Sequence, residues 1–126
     1  MNTAIKHYPS DLPFPFAKAV EVKGVLYFSG QVSMTPDAKP LRGSVQAQTD
    51  VIMGNVRETL CSLGADLSDV FKVTVWLSDM QHFSEFNQAY AAHFNGSYPV
   101  RSVVSAKLAF DLDVEIEVQA VAPTQS

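Results

Sequence analysis

Between Tyr98 and Gln119 the chain reads YPVRSVVSAKLAFDLDVEIEVQ, two runs of period-two alternation around a turn at 109–113. Alternation of this period marks a strand with one face in a core. In the first run Ser102, Val104, Ala106 and Leu108 share one face, and Arg101, Val103, Ser105 and Lys107 the other. In the second, Val114, Ile116, Val118 and Ala120 oppose Glu115, Glu117 and Gln119. The pattern predicts that Arg101 and Glu117 both point away from the core, onto one second face.

The rest of the chain supplies partners for these strands. Residues 1–16 carry Pro9, Pro13 and Pro15 and read as an extended lead-in. Its Leu12, Phe14 and Phe16 are expected to cover something. Ala17–Val22 and Val25–Ser29 read as strands joined at Lys23-Gly24, the second apolar on both faces and so covered on both. After turn-rich residues 33–43, Ser44 caps a helix to about Leu63, ended by Gly64, with Val45, Thr49, Ile52, Val56, Leu60 and Leu63 as its buried stripe. Val70–Leu77 is a strand with Phe71, Val73, Val75 and Leu77 on one face and Lys72, Thr74 and Trp76 on the other. A second helix runs from His82 to about Phe94 on a stripe of Phe83, Phe86, Tyr90 and Phe94. The tail 123–126 is expected to fray.

The order β-β-α-β-α-β-β predicts one α/β domain over residues 1–126, a two-layer sandwich of one mixed sheet with both helices on one face. The bare face would carry Trp76, Val103 and Tyr27 or Phe28 beside Lys72, Arg101 and Glu117. That mixture is too apolar for a solvated surface and too charged for a dry core. It predicts a wet interface between subunits, an ordinary location for a small-ligand cleft.

Composition narrows the function. The 126 residues are 47% hydrophobic and 17% charged, with a formal net charge of −4. No Lys/Arg cluster offers the basic field that nucleic acid requires, and no apolar run is long enough for a membrane span. The first residues lack a signal-peptide pattern, so a cytoplasmic location is expected. The lone Cys61 excludes an internal disulfide and reads as a packing residue of the first helix. His7, His82 and His93 have no partner at ligand spacing, so no metal is expected. The scattered glycines form no phosphate loop, and no Gly-x-Ser-x-Gly elbow occurs, so no cofactor is expected.

What remains is Arg101 with Glu117. An arginine fork matches a carboxylate ligand through two parallel hydrogen bonds, and a nearby carboxylate can position water and carry its proton. The pair suits hydrolysis of a small acid bearing an imine or enamine. On residue types alone, a plain cross-strand ion pair is the favoured account. Gly30 is either a strand-end glycine or a point where a ligand meets backbone. Asn87 is either a surface amide or part of a site.

Several segments resemble the Rid (YjgF, reactive-intermediate deaminase) family: Ser29-Gly30-Gln31, Gln48-Thr49 with Asn55, Lys72–Met80, Phe83…Asn87…Tyr90…Phe94, Arg101-Ser102 and Glu115-Ile116-Glu117. The likeness runs from about Phe14 to Ala122. It implies a chorismate-mutase-like fold, a homotrimer with clefts between subunits, no cofactor, and deamination of small 2-imino or enamino acids. It further implies that Arg101 binds the substrate carboxylate, that Gly30 and Asn87 line the cleft, and that Glu117 handles the water. Glu115 competes for that last role unless the 109–113 turn carries one extra residue. Phe16 and Val103 stand where RidA members usually have a tyrosine and often a cysteine, which makes the cleft more apolar. A non-catalytic carboxylate-binding trimer and a ribonuclease are the alternative classes.

Overall fold

The computed structural model describes residues 4–124, so the last two residues of the tail expected to fray lie outside the described residues. Seven strands form one sheet: β1 (Ile5–Pro9), β2 (Ala17–Val22), β3 (Val25–Phe28), β4 (Gln31–Val32), β5 (Val70–Leu77), β6 (Val100–Ser105) and β7 (Val114–Val121). The strand order is β1-β2-β3-β7-β5-β6, with β4 also pairing to β7. The β5–β6 pair is parallel and the others antiparallel, so the sheet is mixed as expected. Two helices, α1 (Val45–Ser62) and α2 (Phe83–Ala91), complete the two layers.

The core lies between the helices and one sheet face. Ile52, Met53, Val56 and Leu60 of α1 and Phe86 and Tyr90 of α2 meet Leu26, Phe28, Val73, Val75, Ile116 and Val118. Ser44 starts α1 by accepting a hydrogen bond from the Ala47 amide, and Gly64, at φ +82°, follows its end. Cys61, expected to pack, is instead exposed on α1. Helix α2 stops at Ala91, three residues short of the expected end. His93 and Phe94 instead donate to Tyr90 and Ala91 in tighter turns, ahead of Gly96 at φ +87°.

Two strands went unread. β1 is an edge strand whose Pro9 sits at its last position, beside a register shift. Proline is tolerated in such places, but it hides the alternation. β4 is two residues long and resumes the pairing along β7 after Ser29-Gly30. The register slips by one residue between the Tyr27–Gln119 and Gln31–Ile116 pairs, a bulge centred on those two residues. A second irregularity, between Val70 and Lys72, buries Val70 and leaves Phe71 40% exposed, where Phe71 was expected inside.

One polar cluster ties the layers together at the end nearest the turn before β7. Gln48, 2% exposed, donates through Nε2 to the Gly43 carbonyl at 3.0 Å and to Asp113 Oδ2 at 3.1 Å. It accepts from the Asp113 amide at 2.9 Å. Ser78 Oγ donates to the other Asp113 oxygen at 2.6 Å. The start of α1, the end of β5 and the start of β7 are thus held at one point. Gln48→Ala removes one partner from the amide and one from the carboxylate of the half-buried Asp113 and empties a buried position. Unfolding in denaturant is expected to show a loss of about 1–3 kcal/mol. An unchanged midpoint would mean that water replaces the amide without loss.

Candidate functional site

Strand parity decides where the expected site residues go. Arg101 lies in register with Val73, which in turn pairs with Val118. Both valines are core residues, so Arg101 and Val103 project to the helix side. Glu117 pairs with Thr74, itself in register with Ser102, and belongs to the opposite face. Strand β5 also separates β6 from β7. The expected meeting of Arg101 with Glu117 on one face of one chain therefore does not occur, and neither does the adjacent-strand ion pair. Their strands alternate as read, but the first was assigned to the wrong face. The more apolar set of β6 is the exposed one, with Val100 at 67% and Val104 at 44%, while Val103 packs on the core side, so residue type pointed to the wrong face.

Arg101 sits at the sheet edge in a frame built by α2. Its guanidinium carbon lies 5.1 Å from the ring centre of Tyr90 and 5.7 Å from those of Phe83 and Phe86. Cation–π attraction and loss of water both hold the fork in place. Arg101 lines a cavity of about 260 Å³ with Asn87, Tyr90, Ala91, Tyr98 and Pro99. Among the described residues no carboxylate stands within ion-pair distance of it. Asn87 Oδ1 and the Tyr90 hydroxyl are buried there without a hydrogen-bond partner. Burial pushes the Tyr90 hydroxyl up to about 12, against the charge of Arg101 and with a smaller upward push from Tyr98. The hydroxyl therefore stays protonated. Helical spacing identified Phe83, Phe86 and Tyr90 only as a core stripe. The fact that the stripe faces an arginine follows from β6 pairing beside β5.

A second cavity, of about 600 Å³, brings Phe16, Ser29, Gly30, Phe110 and Glu115 together. Glu115 pairs with Val32 of β4 and with Trp76 of β5, and its carboxylate fills the space that a Cβ on Gly30 would take. Gly30 is therefore a point of close approach. Burial raises the Glu115 carboxyl above its usual range, and the neighbouring Glu117 carboxylate raises it further. Glu117 lines neither cavity, and Val103, packed against the core, lines neither as well. Of the two glutamates, it is Glu115 that lines this cavity, with its carboxylate against Gly30. One cavity holds a cation suited to a carboxylate ligand, and the other an acid of raised pKa suited to moving a proton. Among the described residues no cluster of three His, Cys, Asp or Glu side chains could hold a metal. No helix among them is long and apolar enough to cross a membrane.

Comparison with known proteins matches these features to a family. Residues 11–122 fit the family described as Endoribonuclease L-PSP. The chain is 39% identical over 107 residues to Protein MMF1, mitochondrial, of Saccharomyces cerevisiae, covering 84% of this chain and 74% of that protein. It is 38% identical over 109 residues to the 2-iminobutanoate/2-iminopropanoate deaminase of Mus musculus, covering 85% and 81%. The crystal structure of E. coli TdcF with bound serine superimposes with a TM-score of 0.83 at 27% identity, covering 94% of this chain and 98% of that one. A pattern spanning nearly the whole chain, relatives at this identity and a shared sheet-and-helix architecture lead to one assignment: the chain belongs to the Endoribonuclease L-PSP family, also called the YjgF/Rid family.

Proposed function

We propose that this protein hydrolyses small 2-imino or enamino acids to 2-oxo acids and ammonia, in clefts that each join the Arg101 cavity of one subunit to the Glu115 cavity of its neighbour in a homotrimer. The observation that carries the reading is the isolated Arg101. A charged fork with no acidic partner among the described residues, framed by three rings beside two unpartnered polar atoms, is a site prepared for a carboxylate. The mouse relative named as an imine deaminase and the serine held by TdcF support a small carboxylate ligand. The half-sites lie on opposite faces of one sheet, so a second chain has to bring them together. The exposed Val100, Val104 and Tyr27 supply apolar surface for that contact.

In the proposed reaction the fork of Arg101 grips the substrate carboxylate and fixes the C=N carbon. Asn87 lines the same pocket. Glu115 takes a proton from a water as that water attacks the carbon of the protonated imine, whose C=N electron pair goes to the nitrogen and makes it a neutral amine. Glu115 then returns that proton to the nitrogen, the C–N bond breaks as the C=O bond forms, and the released ammonia takes the hydroxyl proton and leaves as ammonium, with Glu115 again a carboxylate. The Gly30 backbone leaves room for the Glu115 carboxylate. A non-catalytic binder would use the same arginine without the glutamate. The family name Endoribonuclease L-PSP points to RNA as substrate, against which stand the net charge of −4 and the lack of a basic cluster.

Imino acids made in situ by amino-acid oxidases provide the assay. Losing a charge-assisted bidentate contact costs about 2–4 kcal/mol, so Arg101→Ala is expected to lower kcat/KM by roughly 30-fold to 1000-fold. Arg101→Lys, which keeps charge but not the planar fork, should fall between. If Arg101→Ala works as fast as the parent, or if the protein cleaves RNA through Arg101 and leaves imines untouched, the reading is wrong.

Two further outcomes are expected. The base form of Glu115 is populated only above a pKa raised from the usual glutamate value, about 4.3. The rate should therefore climb with pH through that raised value and fall away on the acid side, and Glu115→Gln should lower kcat more than it raises KM and abolish the limb. Glu117→Gln should shift the limb toward lower pH, because it removes a neighbouring negative charge. A Glu117→Gln enzyme that loses the limb instead would return the role to Glu117. Light scattering at micromolar concentration should report three chains per particle, and an active monomer would defeat the shared-site arrangement.

A further inference from the structure

Three phenylalanines from distant parts of the chain meet at the Glu115 cavity. Phe14 and Phe16 come from the lead-in between β1 and β2, and Phe110 from the turn before β7. The Phe14 and Phe16 rings stack at 5.9 Å with an 18° interplanar angle, and Phe110 lies 6.1 Å from Phe14 at 53°. Phe16 and Phe110 each remain 42% exposed. Leu12 and Met34 extend the same apolar wall. Aromatic surface left this open around a pocket that also holds a carboxylate marks a place for an apolar group to bind.

The backbone at this wall is held in an uncommon shape. Phe110 has φ 60° and Asp111 φ 53°, both in the left-handed region. A bulky residue rarely adopts it, and does so only where its surroundings hold it there. Arg42 Nη1 donates to the Phe110 carbonyl at 2.7 Å. The Asp111 and Leu112 amides close tight turns onto Leu108 and Ala109. The clamp of Gln48, Ser78 and Asp113 fixes the far end of the turn. A general turn in this position would use glycine or asparagine. A phenylalanine held there instead puts its ring against Phe14 at the cavity wall.

Size points the same way. A cavity of about 600 Å³ lies in the range for ligands well beyond a three-carbon or four-carbon acid. We propose that Phe14, Phe16 and Phe110 form the side-chain subsite of the enzyme and select 2-imino acids with branched aliphatic, thioether or aromatic side chains over the smallest and the hydroxylated ones. This inference rests on the deaminase reading for its substrate class. The carboxylate end is fixed by the arginine of one subunit, and the side chain runs from the reacting carbon, beside Glu115, onto the three rings. Hydrolysis proceeds with the same atom balance for every side chain, so selection acts through binding of the side chain alone.

The test compares imino acids generated from leucine, phenylalanine, methionine, alanine and serine, each rate taken above the spontaneous background. One methylene in an apolar pocket is worth about 10-fold to 200-fold in discrimination, so the leucine-derived and phenylalanine-derived imines should exceed the alanine-derived one by about tenfold or more in kcat/KM. Phe110→Asn removes the ring but keeps a residue that accepts the left-handed backbone. It should draw the leucine-to-alanine ratio toward one, and Phe16→Ala provides a second ring deletion should the first melt early. Calorimetry with the stable products 4-methyl-2-oxopentanoate and pyruvate gives a readout free of turnover. Tighter binding of the branched acid, lost in Phe110→Asn, upholds the subsite even if no imine is hydrolysed, in which case only the catalytic reading falls. Comparable kcat/KM for all five imines, or a preference that survives both ring deletions, overturns the subsite and leaves the deaminase reading intact. A protein that neither binds the oxo acids nor hydrolyses the imines overturns both.

Discussion

A residue on a strand has only two directions available, and this sheet's pairing register settles which one each functional group takes. Because β6 aligns Arg101 with Val73 and β7 aligns Glu117 with Thr74, the cation is committed to the helix layer and the acids to the open face. No rotamer change moves either across. Everything proposed about the site follows from this parity: α2 has to supply the arginine's frame, the acid has to find its ligand space near β4, and the two can be used together only between chains.

Within that constraint, local irregularities do the aiming. The bulge at Ser29-Gly30 brings a residue without a side chain against the Glu115 carboxylate. The register of β4 on β7, which pairs Val32 with Glu115, sets which glutamate arrives there. The buried Gln48 and the Asp113 carboxylate link the turn before β7 to α1 and β5, so an error of one residue would be resisted by several hydrogen bonds at once. Buried polar clusters that are fully paired specify one arrangement in this way.

Legibility in the sequence followed the strength of the periodic signal. Helix α1, strand β5 and strand β7 were legible because apolar residues repeat there at an unambiguous spacing, and the single mixed sheet followed from their order. β1 was hidden by prolines and β4 by its length. The inward position of Phe71 was wrong because a register irregularity inverts parity locally, and periodicity contains no warning of it. Arg101 was legible as a site residue, but its face was not. In VRSVVS the more apolar set, Val100 and Val104 with Ser102, is the one left exposed, and only the pairing with the neighbouring strand reveals it. The choice between Glu115 and Glu117 could not be read for the same kind of reason, since both share a face and differ by one step along it. Phe110 gave no signal at all, because nothing in its residue type announces a left-handed backbone.

The separation of Arg101 and Glu115 onto opposite faces has a genetic consequence. In the proposed shared cleft, a reaction that needs both residues is a property of a pair of chains, so a chain lacking the arginine still lends an intact glutamate, and a chain lacking the glutamate still lends an intact arginine. Two inactive alleles of these two kinds, expressed in one cell, would then assemble some whole sites from halves. A single defective allele would leave a fraction of sites intact even within mixed particles. Inheritance of such defects would be graded by assembly statistics, and dilution of the protein would mimic mutation.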